Sequence, residues 1–112
     1  MRTKPSEFTR VETSVLLYVE TCLVDNQGRM NQVRMNKEDF DALDTLKAEG
    51  MLDYGRLPEK EIEKYMKLLG RFQTSTHWVS FTEEAWVLVA IMRRERAERG
   101  KVQLQAIMGS YA

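Results

Sequence analysis

The sequence predicts an α+β domain, helix-rich, with about four helices and a small antiparallel sheet of two or three short strands. Three observations carry this. Apolar residues recur at helical spacing in four segments. Short runs with β-branched or aromatic content lie between them. Capping residues, glycines and prolines punctuate the boundaries. At 112 residues, 43% of them hydrophobic and 30% charged, the chain is expected to form a single domain over 1–112 with its own core.

Residues 1–8 read as a flexible lead. Thr9 and Glu12 then form a capping-box pattern, and Val11, Val15, Tyr18, Val19, Cys22 and Leu23 predict a first helix over about 10–24. Asp25 to Gly28 break it. Gln32 to Met35 alternate as a candidate edge strand. Asn36 caps a second helix over 37–49, with Asp39 at its favourable N-terminal end and Phe40, Leu43 and Leu46 on its buried side. Gly50 stops it. Met51 to Tyr54 form a second candidate strand, ended by Gly55. Pro58 suits the first turn of a third helix, lined on one side by Ile62, Met66 and Leu69. Thr76 to Phe81 read as a third strand. Thr82 caps a fourth helix. Its first half, Ala85 to Met92, is apolar all round and predicts the central core helix, packed against the first. Arg93 to Arg99 are charged, and Gly100 is expected to end the helix. The C-terminal tail, 101–112, alternates at Val102 and Leu104 and then carries Ile107, Met108 and Tyr111. This predicts a strand or a docked segment.

The 17 basic and 17 acidic residues cancel, so no global field points to nucleic acid or to an anionic membrane. Near-zero net charge leaves self-association open, as a homodimer. One cysteine rules out an internal disulfide and suits a reducing compartment. The polar start lacks a signal-peptide pattern, and the longest apolar run, Ala85 to Met92, falls well short of the ~20 residues of a membrane span. The expected location is cytoplasmic, with no membrane partner.

Two segments resemble winged helix-turn-helix proteins of the MarR and PadR kind. Phe40 to Leu52 looks like the family's pattern of helix, glycine and strand. Trp78 to Trp86 looks like its wing strand followed by a capped final helix. The resemblance implies a winged-helix-like frame and a DNA-binding, transcription-regulatory role. Together the segments cover about a fifth of the chain, and the third helix interrupts the wing. In a second alignment, 37–49 and 58–69 form the helix-turn-helix pair.

Nucleic-acid binding calls for basic side chains on an exposed face. The second helix is acidic, with Glu38, Asp39, Asp41, Asp44 and Glu49 against Lys37 and Lys47. The third is better suited. Lys60, Lys64, Lys67 and Arg71 recur at i, i+4, i+7 and i+11 opposite the apolar side, with Arg56 just ahead. The plain alternative is a solvated face neutralised by Glu59, Glu61 and Glu63. Arg93, Arg94, Arg96 and Arg99 form a second basic cluster, with Arg93 and Arg96 as supporting phosphate contacts. Its plain reading is helix-dipole compensation. His77, the only histidine, has no companion ligands or base-orienting partner at a recognisable spacing, and no catalytic or phosphate-loop motif is present. Neither enzyme activity nor a cofactor is expected. Cys22 reads as a small buried hydrophobe, and Met35, Met51, Met66 and Met92 as core filling. The candidate partners are a DNA or RNA backbone or, with equal weight, a protein. In the second case the chain is an adaptor or a small inhibitor of a host or phage kind. Its anchors would be Trp78, Trp86, Tyr54 and Tyr111 together with the acidic helix.

Overall fold

The computed structural model describes residues 2–109. Four α-helices surround a three-stranded antiparallel sheet, an α+β, helix-rich arrangement. The first helix, α1 (Arg10–Asp25), starts where Thr9 Oγ1 accepts from Glu12 N–H at 3.1 Å and Glu12 Oε1 accepts from Thr9 N–H at 2.9 Å. It ends at Asn26, and Gln27 and Gly28 follow with φ of 57° and 77°. A Cβ on Gly28 would lie 3.0 Å from the Val79 carbonyl oxygen. Glycine there lets the chain close onto the sheet as β1 (Arg29–Met30). Asn36 and Asp39 cap each other's backbone N–H groups at 2.9 and 3.0 Å and start α2 (Lys37–Ala48). Then come β2 (Leu52–Arg56), α3 (Glu59–Leu69), β3 (His77–Phe81) and α4 (Glu83–Gly109).

The sheet order is β1-β3-β2. Leu52 pairs with Phe81, Tyr54 with Val79 and Arg56 with His77. Met30 pairs with His77 on the other edge of β3. The core joins α1, α2 and α4 to the sheet. Leu16, Val19, Leu43, Leu46, Met30, Met51 and Val89 are almost completely enclosed. As expected, α1 and α4 pack together. They run antiparallel: Arg93 meets Glu20, while Arg96 and Arg99 lie beside Arg10 and Thr13.

Residues 2–8, read from sequence as a flexible lead, carry a short 3-10 helix at Pro5–Glu7 and a buried Phe8. Arg2 ties this segment down. Its guanidinium donates to Glu12 Oε1 at 2.8 Å and Glu12 Oε2 at 2.6 Å, and its Nε donates to Glu49 Oε1 at 3.1 Å. It also lies 4.3 Å from the centroid of the Phe8 ring.

Several expectations are corrected. Gln32–Arg34 is a 3-10 turn and not a strand, because Asn31 Oδ1 accepts from Val33 N–H at 3.0 Å and curls the backbone. The first strand falls earlier, at Arg29–Met30. Gly55 lies inside β2 and does not end it. The Trp78 indole covers it so closely that a Cβ would come within 2.8 Å of Nε1. Gly100 does not stop α4, which continues to Gly109. Glycine accepts helical angles at a cost of about 1 kcal/mol relative to alanine, and residues of good helix propensity follow. The tail through Gly109 is therefore helix, neither strand nor docked segment, and Val102, Leu104, Ile107 and Met108 are exposed on it. Tyr111 lies outside the described residues. The apolar run of α4 is not enclosed all round. Ala85, Leu88, Val89 and Met92 are buried, while Trp86, Val87 and Ile91 face out. The α4 helix lies on one side of the core and not through its middle.

Candidate nucleic-acid interface

The α3 helix is held at its ends more than along its length. Leu57 N–H donates to the Thr76 carbonyl at 2.9 Å, Pro58 precedes the first turn, and Ile62 is the one buried residue of the helix. At the far end Gly70 adopts φ 80°, Thr74 Oγ1 donates to its carbonyl at 2.7 Å, and Asn31 Nδ2 donates to the Phe72 carbonyl at 2.9 Å. Asn31 and Thr74 are buried, so the exit of α3 is anchored to the body of the protein.

This leaves both long faces of α3 open. Lys60, Lys64, Lys67 and Arg71 are all exposed. The three lysines, with Glu63 and Leu68, line one shallow surface depression. The acids that could neutralise this face are mostly engaged elsewhere. Glu59 pairs with Arg56 at 3.4 Å, and Glu61 pairs with Arg29 of β1. Among the described residues no ion pair forms to Lys60, Lys64, Lys67 or Arg71. Only Glu63 remains on α3 to offset them. From Lys60 to Lys67 the helix rises about 10 Å, the axial reach of about three phosphates of one DNA strand. The opposite face, expected to be covered, is covered only at Ile62: Tyr65, Met66 and Leu69 are exposed, and Phe72 is 73% exposed.

The other predicted residues separate from this face. Arg56 is engaged by Glu59 and also reaches Gln32. Arg93 is engaged by Glu20 on α1. Arg96 and Arg99 line a cleft with Lys4 and Arg10, at the N-terminal end of α1. By contrast Phe72, Gln73 and Ser75, which follow α3, share a groove with Thr21, Asp25 and Asn26 at the C-terminal end of α1. The two linings share no residue: the cleft takes Arg10 to Leu17 of α1 and the groove takes Tyr18 to Asn26.

The candidate protein anchors are partly committed inside the molecule. Trp78 lies over Gly55, and Trp86 meets Phe81 edge-on with centroids 5.2 Å apart. The Tyr54 hydroxyl donates to Asp44 on the acidic α2. His77 packs 5.4 Å from Phe40 and 6.3 Å from Tyr54, centroid to centroid, and burial followed by the Arg56 charge lowers its pKa. Cys22 is buried, and that burial pushes its thiol pKa up. Met51 and Met92 are core residues, Met35 is half-buried and Met66 is exposed. Among the described residues no cluster of three or more His, Cys, Asp or Glu side chains could hold a metal ion, and no helix is long and apolar enough to cross a membrane.

Two elements of this surface escaped the sequence reading. Lys4 and Arg10 join Arg96 and Arg99 only through the fold, across some 90 residues of chain. The release of the α3 lysines from their own glutamates depends on Arg29 and Arg56, which lie outside the helix. No protein-family model matches the chain, and no curated protein or solved structure matches it either.

Proposed function

We propose that the protein is a non-enzymatic, cytoplasmic nucleic-acid-binding protein, transcription-regulatory in role, that tracks a phosphate backbone with α3. The observation that carries this is the uncompensated basic face. Lys60, Lys64, Lys67 and Arg71 stand exposed without ion pairs among the described residues, while Glu59 and Glu61 are held by arginines. Lysines freed in this way keep their full charge for phosphates and release counterions on binding. The frame is winged-helix-like in this reading, with α3 inserted between the paired strands β2 and β3. Contacts of this kind position a protein on the duplex and do not read its sequence.

The test is a salt titration of binding to duplex DNA. Four phosphate contacts predict a slope of log K against log salt of about −3.5. Lys64→Glu with Lys67→Glu should lower affinity more than tenfold at low salt and flatten the slope. Absence of DNA and RNA binding at low ionic strength would end this reading.

A second reading, a protein-interaction module, is favoured by Leu68, Leu69 and Phe72, which are 50–73% exposed along the end of α3. Exposed apolar residues that cluster mark contact surfaces. In that case Leu69→Ser with Phe72→Ser abolishes partner capture, and the charge reversals leave it intact.

A further inference from the structure

The cleft between the N-terminal segment, α1 and α4 is not used by the α3 surface. It has a volume of about 810 Å³, within the range of small-molecule sites. Lys4 stands on the N-terminal segment, Arg10 at the start of α1, and Arg96 and Arg99 one turn apart on α4. No carboxylate pairs with any of the four among the described residues. Among the described residues Glu95 is the one acid on the lining, against four cations. In a chain of zero formal net charge this is a local excess, and it is concave. The walls are also fixed. Arg2 bolts the N-terminal segment to Glu12 and Glu49, and Phe8, Leu17 and Met92 are buried beneath. The hydroxyls of Ser6, Thr13 and Ser14 add neutral donors.

We propose that this cleft binds a small organic polyphosphate, of the nucleoside di- or triphosphate class, through its phosphates. Cations on facing walls suit an anion with more than one phosphate group, because each arginine can clamp two oxygens in parallel. The volume exceeds what a lone phosphate fills. The site is distinct from the α3 surface, since no residue of α3 lines it.

The experiment is isothermal titration of the whole protein with ATP, AMP and inorganic pyrophosphate at low and high salt. ATP and pyrophosphate bind, and AMP binds at least tenfold more weakly. Arg96→Glu with Arg99→Glu lowers ATP affinity at least tenfold. Lys4→Glu, on an exposed residue of the N-terminal segment, does the same with the fold retained by circular dichroism. Lys64→Glu with Lys67→Glu leaves ATP binding unchanged. Failure of both ATP and pyrophosphate to bind at low salt overturns the proposal, as does binding that is indifferent to the Arg96, Arg99 and Lys4 reversals. A DNA duplex that displaces ATP and is itself released by Arg96→Glu with Arg99→Glu overturns it in favour of a second nucleic-acid surface. Loss of DNA binding by the α3 variants alone bears on α3 and not on this cleft.

Discussion

Replacing Arg2 by methionine should destabilise the protein by about 2–3 kcal/mol at neutral pH, and the cost should disappear in acid. Glu12 is 6% exposed, yet its carboxyl is held at about 2 in place of its ordinary 4.5. The hydrogen bond from Arg2 is the largest cause, opposed by burial and assisted by the Thr9 backbone N–H. A shift of that size corresponds to about 3 kcal/mol at pH 7, and Arg2 supplies most of it. A depressed carboxyl stabilises the fold fully above its unfolded value near 4.5. The contribution falls as pH drops from there through 2, and is gone only below that, where Glu12 is protonated in both states. Methionine is an unbranched apolar side chain that can still cover Phe8, and it removes the charge. Urea unfolding followed by circular dichroism should show a midpoint lower by about 1–2 M at pH 7, narrowing steadily below pH 4.5. In a Glu12→Gln background the same Arg2 change should cost clearly less, since the buried partner charge is gone and only the more exposed Glu49 remains. An equal cost at pH 7 and pH 2, or an undiminished cost in the Glu12→Gln background, would refute the electrostatic account. Arg2 would then act by packing on Phe8.

Two further stability predictions rest on packing. Leu16→Ala removes a fully buried side chain between α1 and the rest of the core, and should cost about 2–5 kcal/mol in urea or thermal unfolding; a loss below 1 kcal/mol would mean that the core collapses freely around it. Gly55→Ala forces a methyl group to within 2.8 Å of the Trp78 indole and should displace that ring. Tryptophan fluorescence should shift to the red, with about 1–3 kcal/mol of destabilisation; unchanged emission and stability would show that the indole does not rest on Gly55.

The helices were legible where side chains a few residues apart carry the information. Thr9 with Glu12 and Asn36 with Asp39 form their capping boxes as read, and the bounds of α1 and α2 follow within a residue. Strand β3 was legible from its β-branched and aromatic run. The basic face of α3 was legible as a period in the sequence, but exposure does not follow that period, since every residue from 63 to 73 is exposed. The errors cluster at short or ambiguous signals. Asn31 turned a four-residue alternation into a 3-10 turn, and Gly100 was accepted inside a helix whose neighbours favour it. An apolar run such as Ala85 to Met92 does not reveal how many of its sides a neighbour will cover.

Local patterning, then, was enough to establish an α+β, helix-rich chain and the spacing of its charges, because helix periodicity and caps depend on residues within one turn of each other. Tertiary structure alone decided which charges are free. Arg29 takes Glu61, Glu20 takes Arg93, and Lys4 and Arg10 come to face Arg96 and Arg99, whereas the Arg56–Glu59 pair is local. An ion pair forms where the packed backbone brings two charges within about 4 Å, and for residues 32 or 73 positions apart only the packing of the core sets that distance.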